Sequence, residues 1–163
     1  MSVNLYKSHV LVLPEDDANR QLVNGFLQDP ALNLRAIQVL PIAGGWAKVR
    51  DVFENAQLAL LRKYPERHLV LLIDFDKQVT DRARIFQEVI PADVCQRVYL
   101  LGTHDEPEPL RKSCGVSLEK IGEQLAGACA NGEPGLWSHA MLAHNGAELE
   151  RLAHNVKPFL FNG

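Results

Sequence analysis

The chain has 163 residues, 47% of them apolar, with a formal net charge of -3 and a pI near 6.1. This is the size and composition of one soluble globular domain, residues 1 to 163, with an ordinary core. It excludes a global positive field that would pull the chain onto nucleic acid or anionic lipid, so any nucleic-acid contact has to be local, metal-mediated or shared with a partner.

The opening MSVNLYKSHVLVLPEDD has too short an apolar run for a signal peptide, and no segment approaches the roughly 18 apolar residues of a membrane span. A cytoplasmic protein with no membrane association is expected. HVLVLP, residues 9 to 14, then reads as a buried strand. DDANRQLVNGFLQ follows as a helix, with acidic residues at its start and Leu22, Phe26 and Leu27 at helical spacing. LRAIQVLPI, residues 34 to 42, is expected as the second strand. Gly44 and Gly45 introduce WAKVRDVFENAQLALLRKY, whose Val49, Val52, Phe53, Ala56 and Leu60 form one apolar stripe.

HLVLLID, a helical segment around RARIFQEVI, and RVYLLG at 97 to 102 continue the alternation. Continuously apolar strands separated by helices predict an α/β fold, with a Rossmann-like parallel sheet of about four strands flanked by helices. THDEPEPL, 103 to 110, reads as a surface loop stiffened by Pro107 and Pro109, or as a loop over a substrate. Beyond it SLEKIGEQLAGACA and SHAMLAHNGAELERLAH read as two helices separated by the breaker run 131 to 135, and VKPFLF as a tail that packs back. The division is thus an α/β core over 8 to 104 and a C-terminal helical extension over 105 to 163.

Ligands of such sheets gather at the carboxyl ends of the strands. Glu15, Asp16 and Asp17 follow the first strand, and Asp74 and Asp76 close the third. Residues i and i+2 of an extended segment project to one side, so Asp74 and Asp76 are expected to face one site. Crowded carboxylates attract a cation, and an oxygen-only set suits Mg2+ or Mn2+. The same residues also serve as ordinary helix N-caps and solvated loop charges in many proteins; for Asp16 and Asp17 the helix role is the expected one.

Glu after strand one, a Gly turn after strand two and Asp-x-Asp after strand three resemble a stand-alone Toprim-like domain, akin to small Toprim nuclease-like proteins and overcoming-lysogenization-defect nucleases. The resemblance covers about residues 8 to 104. It implies metal-dependent phosphodiester chemistry on DNA or RNA, with Mg2+ or Mn2+ as cofactor and a partner ATPase. By position it implies Glu15 as general acid/base or metal ligand, Asp74 and Asp76 as metal ligands, and Gly45, beside Gly44, as the close-approach turn at the substrate. Lys77 stands where many Toprim sequences have moved on to a glycine; it is read either as touching phosphate in a catalytic role or as pairing with Asp76. His104, at the end of strand four with Asp105 and Glu106, is a candidate substrate contact.

The first strand also resembles a response-regulator receiver. That alternative makes the chain a noncatalytic Mg-binding regulatory module, with Asp16 and Asp17 at the metal, Asp74 as phosphoacceptor and Thr103 after strand four. It needs a lysine ending a fifth strand, and the only Lys-Pro, at Lys157, follows two further helical segments. Arg82 and Arg84 are expected solvated, Trp46 and Trp137 packed, and His139, His144 and His154 at surface or packing positions. Cys95, Cys114 and Cys129, in no CxxC pattern, are expected as reduced structural thiols.

Overall fold

The computed structural model describes residues 2 to 162. Four strands, β1 (His9–Pro14), β2 (Ile37–Val39), β3 (Arg67–Asp74) and β4 (Val98–Thr103), form one all-parallel sheet in the order β2-β1-β3-β4. Helices α1 (Asp17–Phe26), α2 (Trp46–Val52), α3 (Leu58–Lys63) and α4 (Val79–Val89) connect them, and α5 (Pro107–Cys114), α6 (Leu118–Asn131), α7 (Gly146–Asn155) and α8 (Lys157–Leu160) follow. No helix among the described residues is long and apolar enough to cross a membrane.

The strands are apolar throughout because both faces are covered. Leu11, Leu13, Leu69, Leu71 and Ile73 meet Val49, Phe53, Leu61 and Phe86 of α2 to α4 on one face. The alternate residues Val10, Val12, Val70, Tyr99 and Leu101 meet Val23 of α1 and the C-terminal Val156, Leu160 and Phe161 on the other. The tail packs back as expected, with Phe161 bridging to Leu32 and the Asn162 N–H donating to the Ala31 carbonyl.

The C-terminal extension is bound to the core through α1. At Gly25 an added Cβ would lie 1.8 Å from the Glu119 carbonyl oxygen, and at Gly122 it would lie 2.0 Å from that of Leu22. Only hydrogen fits there, so α1 and α6 touch backbone to backbone. Leu22 joins Leu110, Leu118, Ile121, Leu125 and Leu142 in a third apolar cluster.

Several expected boundaries change. The strand expected over 34 to 42 keeps three residues: Asn33 caps a 3-10 turn at Leu34–Ala36 through the Arg35 N–H, and Pro41 offers no donor beyond. The helix expected over 46 to 64 forms, with a π-helical turn at Phe53–Gln57 between α2 and α3. The segment read as a loop from 103 is helical from Pro107. Both prolines fall in the first turn, where no intrahelical N–H is needed, and Gly115 ends the helix at φ 68. Of the last expected helix only α7 is regular; 3-10 turns at Gly135–Ser138 and Ala143–Asn145 precede it.

One outer edge of the sheet is closed by side chains. Among the described residues β4 has no further strand beyond it, and α7 with the turn before it runs alongside. The Leu100 N–H donates to Glu148 (2.7 Å), the Gly102 N–H to Asn145 (3.1 Å), and Asn145 Nδ2 returns a bond to the Gly102 carbonyl (2.9 Å). Arg151 donates to the carbonyls of Val98 and Cys95. Three residues spaced i, i+3 and i+6 thus replace a neighbouring strand.

Candidate metal centre

Strand order fixes where a ligand can enter. The chain leaves β1 toward β2 on one side and leaves β3 toward β4 on the other, so connections diverge between the carboxyl ends of β1 and β3. Glu15 and Asp16 follow β1, and Asp74 ends β3. One oxygen from each of these three carboxylates lies within 4.8 Å of the others. Glu15 and Asp74 are buried and Asp16 is half-buried.

Each carboxylate is held by one oxygen. Glu15 Oε1 accepts the Asp74 backbone N–H at 3.0 Å. Asp16 Oδ1 is the N-cap of α1, accepting the Asn19 N–H at 3.1 Å and Asn19 Nδ2 at 3.0 Å. Asp74 Oδ1 accepts Asn19 Nδ2 at 3.0 Å. The second oxygen of each has no hydrogen-bond donor among the described residues. The result is three anchored carboxylates, each with lone pairs to offer and none in a salt bridge among the described residues. Oxygen donors of this kind fit a hard divalent cation such as Mg2+ or Mn2+.

The electrostatics follow from burial. Desolvation, against the Asp74 N–H bond and with Asp16 adding repulsion, pushes Glu15 up to about 7. Desolvation and then the charge of Glu15 push Asp74 up to about 8, although Asn19 bonds to its charged form.

Asp76 does not join Asp74 in the way an extended segment would allow. The strand ends at Asp74, and Asp76 and Lys77 have φ 49 and 63, forming a turn closed by Gln78 N–H to Phe75 O (2.8 Å). The Asp76 carboxylate instead meets Arg82 Nη2 at 2.9 Å, and Asp16 stands with Glu15 and Asp74. Asp76 remains close enough to raise both Glu15 and Asp74. Arg82 is buried rather than solvated: its guanidinium lies 4.1 Å over Trp46, and its Nε has no partner among the described residues. Trp46 in turn packs edge-on against Phe86, a packing role as expected.

Gly44 and Gly45 lie beside Glu15. Both N–H groups donate to the Glu15 carbonyl, at 2.8 and 3.2 Å, so the turn clamps the end of β1. Their φ values of 97 and 139 are open to glycine and strained for other residues. Lys77 is exposed, with Nζ 3.7 Å from Asp105 rather than on Asp76. Lys77 and His104 line a cavity of about 340 Å3 with Gln78, Val79, Thr80 and Asp81.

Other residues fall away from the centre. Asp17 is exposed on Arg20 and Gln21, the helix-charge role expected of it. Thr103 donates to the Asp105 carbonyl. His144 packs edge-on to Phe75, and burial lowers its pKa. His139 accepts the Met141 N–H at Nδ1, which leaves Nε2 as the donor to Ser113 and gives no base for that hydroxyl. The three cysteines are free, with Cys95 exposed.

Asn19 and Arg82 were not legible as site residues, and Asp16 was legible as a helix residue and as a metal ligand only in the receiver-like alternative. Asn19 at the third position after an N-cap looks like any first-turn polar residue. Only the adjacency of β1 and β3, a non-local fact, brings its amide to Asp74. No protein-family model, curated protein or solved structure matches the chain. The centre is therefore read from its own chemistry.

Proposed function

We propose that the carboxyl end of the sheet holds Mg2+ or Mn2+ and that the protein uses it for phosphodiester chemistry on nucleic acid, as a Toprim-like nuclease. The observation that carries this reading is the convergence of Glu15, Asp16 and Asp74 at the point where the strand connections diverge, each with an oxygen free of protein donors.

When bound, the cation supplies Lewis-acid polarisation of a phosphoryl oxygen and a more acidic water. The chain's own residues do the rest. Asp16 and Asp74 would hold the ion, and Glu15 would either complete the ligand set or, where it stays off the ion, exchange a proton there, its buried carboxyl being raised to about 7 in the metal-free chain. Arg82, held by Asp76 and Trp46, places a guanidinium near Glu15 and lowers the local negative charge. Lys77 and His104 border the same end of the sheet, where a phosphate backbone would pass.

The receiver-like alternative fits less well. It needs a fifth strand beside β4 to deliver a lysine, and that edge is occupied by Asn145, Glu148 and Arg151. Asp17 points to solvent and Thr103 bonds to its own loop. With a net charge of -3, an isolated chain of this kind has few phosphate-neutralising contacts to make, so the proposal includes a partner that supplies basic surface, an ATPase by the resemblance.

A metal-titrated cleavage assay on single- and double-stranded DNA and RNA tests the reading. Cleavage dependent on Mg2+ or Mn2+, lost in Glu15→Gln and Asp74→Asn with the fold intact, is the expected result. Phosphorylation of Asp74 by acetyl phosphate, with no cleavage, would establish the receiver-like alternative instead.

A further inference from the structure

Asn19 has no exposed surface, yet its side chain is only half satisfied. Nδ2 donates to Asp16 Oδ1 and Asp74 Oδ1, both at 3.0 Å, while Oδ1 is buried with no hydrogen-bond partner among the described residues. A buried amide oxygen without a donor is costly, and proteins rarely leave one. The amide group accepts that cost because its NH2 stands between two carboxylates, where it acts as a weak substitute for positive charge.

Turning the amide by half a rotation about its last torsion exchanges the two ends. Oδ1 then faces the two carboxylate oxygens at about the distance Nδ2 now holds. Three oxygens in that arrangement repel unless a cation lies among them. Around an octahedral ion with ligands at about 2.1 Å, neighbouring ligand oxygens are about 3.0 Å apart, whereas the longer bonds of Ca2+ spread them further. The 3.0 Å spacings of Asn19 to Asp16 and to Asp74 are those of ordinary N–H···O hydrogen bonds, so the exchange of amide ends brings the oxygens to the spacing around Mg2+ or Mn2+ with little movement.

We infer that Asn19 is a reversible element of the cation site: its NH2 bridges Asp16 and Asp74 in the metal-free chain, and its carbonyl oxygen turns inward as a neutral ligand when Mg2+ or Mn2+ binds. This rests on the cation reading above and adds a neutral residue to its ligand set. The side chain is already seated by the helix: its own N–H is bonded to Asp16, so inversion of the amide needs no movement of α1.

Titration calorimetry of the full chain with MgCl2 and MnCl2, for the natural protein and Asn19→Ala, gives the first test. Nitrogen-15 NMR of the Asn19 side-chain NH2 during the Mg2+ titration gives the second. The expected results are at least about tenfold weaker binding in Asn19→Ala and saturable upfield movement of both Asn19 amide protons in the natural chain, with the calorimetric midpoint, as they leave the carboxylates. Equal affinity in Asn19→Ala overturns the inference. So does an NH2 pair that stays in place at saturating Mg2+, even where the variant binds more weakly, because Asn19 is then a donor only. If Asn19→Ala does not fold, the NMR titration of the natural chain decides alone. No binding of either ion by the natural chain overturns the cation reading together with this inference.

Discussion

Two residues at the centre carry opposing demands that can be measured separately. Glu15 and Asp74 keep their protons in the folded chain at pH values where the unfolded chain has lost them, because burial raises both. The folded state therefore binds more protons between the ordinary carboxylate range, 3.8 to 4.5, and about 8. Stability of the metal-free protein should fall as pH rises through that window, by an amount on the order of a few kcal/mol. Denaturant midpoints taken in EDTA across the window check this, and Asp74→Asn, which keeps an acceptor for Asn19, should flatten the curve. A profile unchanged by that substitution would show that the pair is not the source. At Lys77 the demand is on the backbone: φ 63 is a conformation that costs a side-chain-bearing residue roughly 1 kcal/mol, and its contact with Asp105 is at the surface. Lys77→Gly should therefore stabilise the protein by about 0.5 to 1 kcal/mol in chemical denaturation, and a loss of stability would mean the lysine side chain holds the turn.

Among the elements, α6 and α7 do work that their position after the sheet does not announce. α6 fixes α1, and α1 carries Asp16 and Asn19, so the packing of the extension reaches the metal centre through one helix. Gly122 and Gly127 lie on the same helix and make a matched pair. A Cβ at Gly122 meets the Leu22 carbonyl at 2.0 Å, while one at Gly127 meets nothing within 4 Å. Gly122→Ala should cost about 3 kcal/mol by driving the helices apart, and Gly127→Ala should gain about 0.5 to 1 kcal/mol by lowering the entropy of the unfolded chain. Thermal melts of the two variants should move in opposite directions. α7 closes the β4 edge, and Asn145→Ala would strip partners from the buried N–H and carbonyl of Gly102. A loss of about 2 to 4 kcal/mol is expected, with a concentration-dependent dimer on size exclusion as the edge becomes available for pairing.

At the scale of the whole molecule, the α/β class and the parallel sheet were legible because buried strands are written as continuous apolar runs, as in Val10 to Leu13 and Leu69 to Ile73. Glu15 and Asp74 were legible because both stand at strand ends. What the pattern could not carry was the turn that swings Asp76 to Arg82, the burial of Arg82 itself, and the passage of Asn19 across to β3, all of which depend on contacts between distant segments. The same non-local assembly predicts a global response to metal. The carboxylates of the centre come from the ends of two different strands and exist as a set only in the folded chain, so a divalent cation bound there opposes unfolding by mass action. At a free concentration near one hundred times its dissociation constant the gain is about 2.7 kcal/mol, and a domain of this size responds by roughly 5 to 10 °C in its thermal midpoint. Magnesium and manganese should each produce this rise in the natural chain, more strongly at alkaline than at acidic pH, since protons and the cation compete for Glu15 and Asp74. Asp74→Asn should remove most of the rise, and Asp76→Asn should leave most of it in place because Asp76 is engaged by Arg82. Equal losses in the two variants would instead place Asp76 among the ligands.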